Sequence, residues 1–457
     1  MKRALGIVLL VGCSSAERPW DLPWPREPEG YASPATPTAK PVREGRFKID
    51  LPTVLRLAGA NSLDLAYVRE KVHEAYALAE MAEEKFWPTA GPILAFRRHE
   101  GLTQGTDGAF LDVDKQQTLA GVGVRLRWDV GDAIFSTLSA SQRYEAQKSF
   151  LEGTQQSVQL EAALAYYELM REHLRAQVSA QSAEVSEKLA TELDASVQAG
   201  RGFRGDMLGA RVQSASSRLQ LLRSREAIKL ASIRLGALLR LAPGIELEPA
   251  EAVPGPLDLV PLSSLDADLL KEALGRRPEV RQAEAELAAH RHDQTAATWG
   301  PLLPEIQVDA VAGGLGPVPS NLESTEDYAV TLGWRLGPGG LLDPARRRLA
   351  ESRVRQAEIQ MERVRQRISE EVLSSLAQVR AKAEQVKLAE QAVRDAVEAL
   401  DLTRERQSRQ IGLPLEVLRA EEALTRARLD HYTAMIDYSQ GQLRAFAHLG
   451  RRHSEDR

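Results

Sequence analysis

The stretch LAGVGVRLRW at residues 119–128 places an apolar side chain at every second position from Val122 onward, with glycine or arginine between. A second stretch, YAVTLGWRL at residues 328–336, alternates in the same way. A period of two is typical of a strand with one apolar face and one small or cationic face. With shorter strands predicted near residues 93–98 and 305–311, the sequence predicts two amphipathic hairpins.

The segments around the two hairpins also repeat. Gly202 and Asp206 recur about 210 positions later as Gly412 and Glu416. Each copy predicts an opening helix, a hairpin, a very long helix, a turn with glycine and a return helix. The opening helices are predicted near residues 51–86 and 265–298, and apolar residues between 354 and 400 follow the spacings of three and four that are typical of coiled coils.

This repeat predicts the organisation of the whole chain. Proline-rich stretches, in which neither helix nor sheet can propagate, separate the predicted parts. The predicted parts are a lipoprotein signal peptide (1–12), a lipidated tether (13–49), a first repeat (50–241), a connector (242–264), a second repeat (265–450) and a polar tail (451–457).

The hairpins predict oligomerisation. Four strands cannot close a barrel around a pore, and an open sheet edge in lipid would leave backbone amides unpaired. Trp87, Trp128, Trp299 and Trp334 stand at or beside strand ends, as aromatic residues at a membrane interface would. The alternative is that these tryptophans belong to an ordinary core between helices and a sheet.

Composition and motifs argue against several classes of protein. The formal net charge of -5 disfavours a nucleic-acid binder, and a single cysteine excludes a disulfide framework. His290 and His292 are two positions apart in a predicted helix, so they face apart rather than sharing a metal. We therefore expect no enzyme activity, no cofactor and no metal site.

The single cysteine, Cys13, follows Lys2, Arg3 and a short apolar run that ends in Leu-Val-Gly. This arrangement resembles the lipobox of bacterial lipoproteins, in which the cysteine carries the acyl chains. The resemblance implies an anchor in the outer membrane. An ordinary secretory signal, or a buried start of the chain with an accidental cysteine, are the alternatives.

The duplicated order of elements resembles the TolC-like outer-membrane efflux protein family over about residues 50–450. The turn sequences, Gly200 with DMLGA at 206–210 and Gly412 with EVLRA at 416–420, are similar to that family's helix-tip signature. The resemblance implies a mainly α fold with a small β part. Long coiled-coil-like helices would form an α-barrel, and four strands per chain would contribute to a trimeric transmembrane β-barrel.

The resemblance also implies function and partners. Such a homotrimer would sit in outer-membrane lipid, extend into the periplasm and dock on a periplasmic adaptor and an inner-membrane pump, as the passive exit duct of an efflux or type I secretion system. The alternative from another class is a periplasmic coiled-coil lipoprotein with a scaffold or adaptor role, which would not need the amphipathic hairpins.

The resemblance places adaptor docking at the two turns. The residues concerned are Gly200, Gly202, Arg204, Asp206, Gly412, Leu413 and Glu416. Asp206 and Glu416 are also candidates for a charged gate at the mouth of the tunnel. The alternative for both is a favourable carboxylate in the first turn of a helix.

Overall fold

The computed structural model describes residues 46–200, 202–251, 255–261, 263–409, 411 and 414–451. Helices account for most of this part of the chain. They are α1 Leu51–Asn61, α2 Leu63–Glu84, α3 Val130–Gln198, α4 Arg204–Leu238, α5 Asp266–Arg276, α6 Pro278–Trp299, α7 Pro344–Ser408 and α8 Pro414–His448. The strands are β1 Arg46–Ile49, β2 Thr89–Gln104, β3 Phe110–Asp129, β4 Glu246–Pro249, β5 Glu305–Val318 and β6 Asn321–Gly333.

The opening helix of each repeat is broken, where the sequence predicted one continuous helix. Ser62 has an extended backbone between α1 and α2, and its hydroxyl caps α2 by accepting a hydrogen bond from Leu65 N at 3.4 Å. Arg277 is extended between α5 and α6 because the following Pro278 disfavours a helical conformation before it. Both breaks allow the chain to change direction near the middle of the long helices.

The two hairpins join into one antiparallel sheet in the order β2-β3-β5-β6. The pairing of β3 with β5 runs from Thr118 opposite Gly316 to Asp129 opposite Glu305. The first hairpin is longer than predicted, since β2 and β3 stay paired as far as Gln104 opposite Phe110. Strands β2 and β6 therefore form the two edges of this sheet.

A second, small sheet lies where the sequence predicted only a tether and a connector. Strand β1, at the end of the predicted tether, pairs in parallel with β4 inside the predicted connector. Ile49 and Leu247 are buried in the core beside Tyr166 and Leu235. Each strand has four residues, which is too short for alternation to be read from the sequence.

Two apolar cores lie at mid-length of the long helices. The first gathers residues of α1, α3, α4 and α8 with the small sheet, and the second gathers residues of α5, α6, α7 and α8. A third cluster of only Leu400, Val417 and Leu424 lies close to the second helix turn. None of the described helices is both long and apolar enough to cross a bilayer.

The long helices pack side by side in a single layer. Toward the helix turns, α3 packs against α4 and α8, and α8 packs against α7; toward the large sheet, α3 packs against α2 and α6, and α6 against α7. Within the described residues, α4 and α7 make no substantial contact with each other. They are therefore the two outer helices in the half toward the helix turns, whereas α2 and α7 are the outer helices in the half toward the large sheet.

Candidate channel wall and helix turns

One face of the large sheet is apolar, and no other described part of the chain packs over it. The register sets Leu126, Val308 and Val330 side by side, and Val330 is 75% exposed. We call this face the apolar band: Leu94, Phe96, Val122, Val124, Leu126, Ile306, Val308, Ala310, Tyr328, Val330 and Leu332. An uncovered apolar surface of this extent is not typical of a protein that is wholly in water.

The opposite face of the sheet is polar and bridged by charge pairs between strands. Arg125 Nε lies 2.7 Å from Asp309 Oδ1. Glu305 accepts hydrogen bonds from both Arg127 and Arg335, the latter at 3.0 Å. The alternation predicted from the sequence thus gives one apolar and one charged face, because the register pairs apolar residues with apolar residues and charged residues with charged residues.

Glycine is required at two opposite positions, where the paired strands β3 and β5 approach each other closely. A Cβ atom at Gly121 would lie 2.4 Å from the carbonyl oxygen of Ala312, and one at Gly313 would lie 2.3 Å from that of Ala120. Both contacts are with backbone, which cannot move aside without disturbing the pairing. A Cβ atom at Gly91, in the edge strand β2, would have no other atom within 4 Å.

We therefore expect Gly121→Ala to destabilise the sheet by about 2 kcal/mol, the usual scale for an overpacked site. The measurement is the guanidinium midpoint for loss of β-structure, followed by circular dichroism in detergent. Gly91→Ala is the matched control and should leave the midpoint nearly unchanged. Equal midpoints for the two variants would show that the close approach of β3 and β5 is not needed.

The four predicted interface tryptophans lie at one end of the sheet, the end joined to the helices. Trp87 precedes β2, Trp128 is near the end of β3, Trp299 ends α6 and Trp334 follows β6. Trp128 packs edge-on against Phe86 with ring centroids 5.7 Å apart. The other three side chains are more than half exposed, which leaves them available to an interface.

The first helix turn depends on two glycines. Gly200 follows the end of α3 with φ of +72°, a conformation that other residues rarely adopt. At Gly202 a Cβ atom would come within 3.0 Å of Val197 N. Arg204 and Phe203 are exposed at the start of α4, and Asp206 lies half-buried in its first turn.

Only part of the second helix turn can be compared with the sequence prediction. Gly412 and Leu413 lie outside the described residues, as does Cys13. Glu416 lies in the first turn of α8, with its Oε2 3.6 Å from Arg406 Nη1 of α7. This contact gives Glu416 a role in holding α7 to α8.

Behind the first turn, polar contacts tie α3 to α4, and sequence reasoning missed them. Asp194 pairs with Arg211 at 2.8 Å, and the hydroxyls of Ser186 and Ser217 are 3.1 Å apart. Glu187 also accepts a hydrogen bond from the guanidinium group of Arg218. The sequence does contain a sign of these pairs. Arg211 and Arg218 are seven residues apart, as are Glu187 and Asp194, and a spacing of seven places residues along one seam of a coiled coil.

A buried charge cluster at mid-length fixes α5, α6, α7 and α8 together. Arg277, whose side chain is 8% exposed, donates to both oxygens of Glu279 at 2.9 Å and to Glu371 at 2.8 Å. Arg277 also donates to the carbonyl oxygen of His448 at 3.4 Å, and His448 Nδ1 lies 3.1 Å from the Glu371 carbonyl oxygen. Burial lowers the pKa of the His448 imidazole, so its neutral form is favoured.

Among the described residues, no group of three or more His, Cys, Asp or Glu side chains is placed to hold a metal ion. Residues 269–451 match the family model described as Outer membrane efflux protein. No curated protein matches the chain in sequence.

Several solved structures share the fold. The outer-membrane channel OprN is 20% identical, with 88% of this chain and 90% of that chain covered and a TM-score of 0.76. VceC of Vibrio cholerae is 19% identical, with 88% and 96% covered and a TM-score of 0.74. MtrE of Neisseria gonorrhoeae is 17% identical, with 88% and 89% covered and a TM-score of 0.73.

The shared fold is that of outer-membrane efflux channels, mainly α with a small β part, as the sequence predicted. The similarity to the TolC-like outer-membrane efflux protein family is likewise confirmed, by the family match on the second repeat and the shared fold over both repeats. Together the family match and the shared fold support an efflux channel.

Proposed function

We propose that three copies of this chain form the passive exit duct of a tripartite efflux or type I secretion system. The apolar band is the observation that carries the proposal, because an uncovered apolar sheet face with charged residues behind it fits a wall between lipid and a water-filled pore. The polar face with Arg125 and Asp309 would then line the pore.

The height of the apolar band supports a membrane location. From Trp128 to Thr118 the strand advances about 34 Å at about 3.4 Å per residue. A strand tilted by about 40° would cover roughly 26 Å of that along the membrane normal. This agrees with the apolar belt of about 25 Å on outer-membrane barrels. Beyond it, Arg98 and Asp114 form an ion pair at 3.0 Å on the same face.

Closure of the wall requires further copies. Strands β2 and β6 have no hydrogen-bonded neighbour on their outer sides among the described residues. In lipid these edges would be costly, and β6 of one copy beside β2 of the next continues the antiparallel order. Three copies give the twelve strands that the family resemblance implies.

The long helices would form a tunnel below this barrel. With 69 residues in α3 and 65 in α7, each rod is about 100 Å long at about 1.5 Å per residue. Trp87, Trp299 and Trp334 would then lie at the periplasmic interface, where amphipathic rings are favoured. Acylation of Cys13 would add a lipid anchor to the same membrane.

The helix turns lie at the end of the rods farthest from the sheet, so we place docking of the periplasmic adaptor and its inner-membrane pump there. Cysteine at Arg204, an exposed position in the first turn, should crosslink to the adaptor in cells. Cysteine at Ser374, exposed at mid-length of α7, is the matched control and should not. The parent chain, whose only cysteine is Cys13, is the control without an introduced cysteine. Crosslinking at Ser374 alone would place the adaptor along the tunnel wall.

A further inference from the structure

The polar face of the large sheet carries a compact group of charges at the end joined to the helices. We call this group of five residues the charge belt: Arg125, Arg127, Glu305, Asp309 and Arg335. Glu305 begins β5, and Arg335 follows the end of β6. In the proposed channel the charge belt surrounds the passage from the helical tunnel into the barrel, so every exported solute passes it.

The cations and the acids of the charge belt are not equally exposed. The side chains of Arg125, Arg127 and Arg335 are 70%, 65% and 48% exposed. Those of Asp309 and Glu305 are only 30% and 23% exposed. The longer arginine side chains therefore cover the carboxylates on the side that faces water, and a solute in the lumen meets positive charge first.

The carboxylates of the charge belt are also fully occupied by hydrogen bonds. Asp309 accepts from Arg125 Nε on one oxygen and from Gln307 Nε2 on the other, each at 2.7 Å. Glu305 accepts an arginine donor on each of its two oxygens. Asp129, the next acid at this end, caps α3. Each belt arginine has five N–H donors and uses one of them in these bonds, so donors remain for an anion.

Beyond the charge belt, the strands carry cations and acids in equal number on the polar face. Arg97 and Lys115 are exposed there, as are Glu323 and Asp327. Their charges offset one another along the rest of the barrel. The rows next to the belt are also rich in residues without a side chain, namely Gly91, Gly121, Gly123 and Gly313. The arginines of the belt therefore project farther into the lumen than most of the residues that follow.

We propose that the charge belt makes the exit duct select small anions over small cations. The inference rests on the proposed channel and deepens it, because it names the charge class of solute that passes most readily. Cationic side chains that line a pore favour anions. The acids of the charge belt do not cancel this preference, because they are covered and their oxygens already hold donors.

Reversal potentials in planar bilayers test the selectivity of the trimer. In a KCl gradient near about 0.1 M, charges act over about 10 Å. Chloride should then be about threefold more permeant than potassium, a modest effect for a protein surface potential on the scale of kT. Near about 1 M the distance falls to about 3 Å, and the ratio should approach one. A conducting parent trimer that prefers potassium, or neither ion, would overturn the inference.

The double variant Arg125→Gln with Asp309→Asn tests the unequal exposure. It leaves the net charge unchanged but removes more exposed positive charge than exposed negative charge. The permeability ratio should fall about twofold. Arg98→Gln with Asp114→Asn is the matched control, because that ion pair lies on the opposite face of the sheet and its loss should not change the ratio. Equal ratios for both double variants would show that the charge belt does not set the selectivity.

A thiol beside the charge belt measures the local charge independently of conductance. Thr331 is exposed on the polar face, in the same row as Arg127. Relative to a free thiol, cysteine at this position should react about threefold faster with an anionic than with a cationic methanethiosulfonate. Arg127→Gln in the same chain should reduce this preference, and the parent chain gives the background from Cys13. Equal relative rates for the two reagents would contradict a cationic lumen at this point.

The outcomes also separate this inference from the function on which it rests. A trimer that conducts without preferring chloride would refute the role of the charge belt and leave the proposed exit duct standing. A parent protein that does not conduct, together with a cysteine at Thr331 that reacts with neither reagent, would refute both.

Discussion

Replacing Val330 with arginine is expected to prevent stable insertion of the protein into the outer membrane. Val330 is 75% exposed in the chain and lies opposite Val308 in the apolar band, so little packing within the chain is lost. The cost arises only in lipid, where an arginine near the bilayer midplane costs about 2–4 kcal/mol in each copy. The measurement is the fraction of the protein recovered as heat-resistant oligomer from outer membranes.

Thr331→Arg is the matched control, because the neighbouring residue points to the opposite, polar face of β6. It should insert normally and change the conductance of the channel in planar bilayers instead. Equal loss of insertion for both variants, or equal tolerance of both, would contradict a lipid-facing band. Equal tolerance with no conductance in the parent protein would favour the periplasmic scaffold.

Arg277→Ala is expected to lower the free energy of unfolding by about 3 kcal/mol, the lower end of the cost of breaking a buried ion pair. The loss would leave Glu279 and Glu371 facing each other without the guanidinium between them. Both carboxylates keep about a third of their side-chain surface in water, which limits the cost. Chemical denaturation followed by helical circular dichroism measures it.

Arg281→Ala, four residues further on in the first part of α6, controls for the removal of a nearby arginine. Its partner is Glu152, and both side chains are substantially exposed, so the expected cost is about 1 kcal/mol or less. If the two variants unfolded at the same denaturant concentration, the cluster around Arg277 would not be a fixed point of the fold. An Arg277→Ala variant as stable as the parent protein would lead to the same conclusion about the cluster.

Local pattern was enough to predict the amphipathic strands and the long helices. The alternation around Val122 and Val330 and the heptad spacing in α7 depend only on neighbours in sequence. The break at Ser62 was within reach, because a serine that precedes a helix is a common cap. The apolar period alone does not reveal the break, because the spacing of Ala58, Leu65 and Val68 keeps one helical phase across it.

The pitch of a strand or helix fixes which residues lie on opposite faces, so these relations can be read from the order of residues alone. Which strand or helix each face contacts becomes known only in the folded chain. The pairing of β3 with β5, the contact of Gly121 with Ala312, the short β1–β4 sheet and the burial of Arg277 all join residues far apart in sequence. Such contacts depend on how whole elements pack and on the register between them, and a local period does not contain that information.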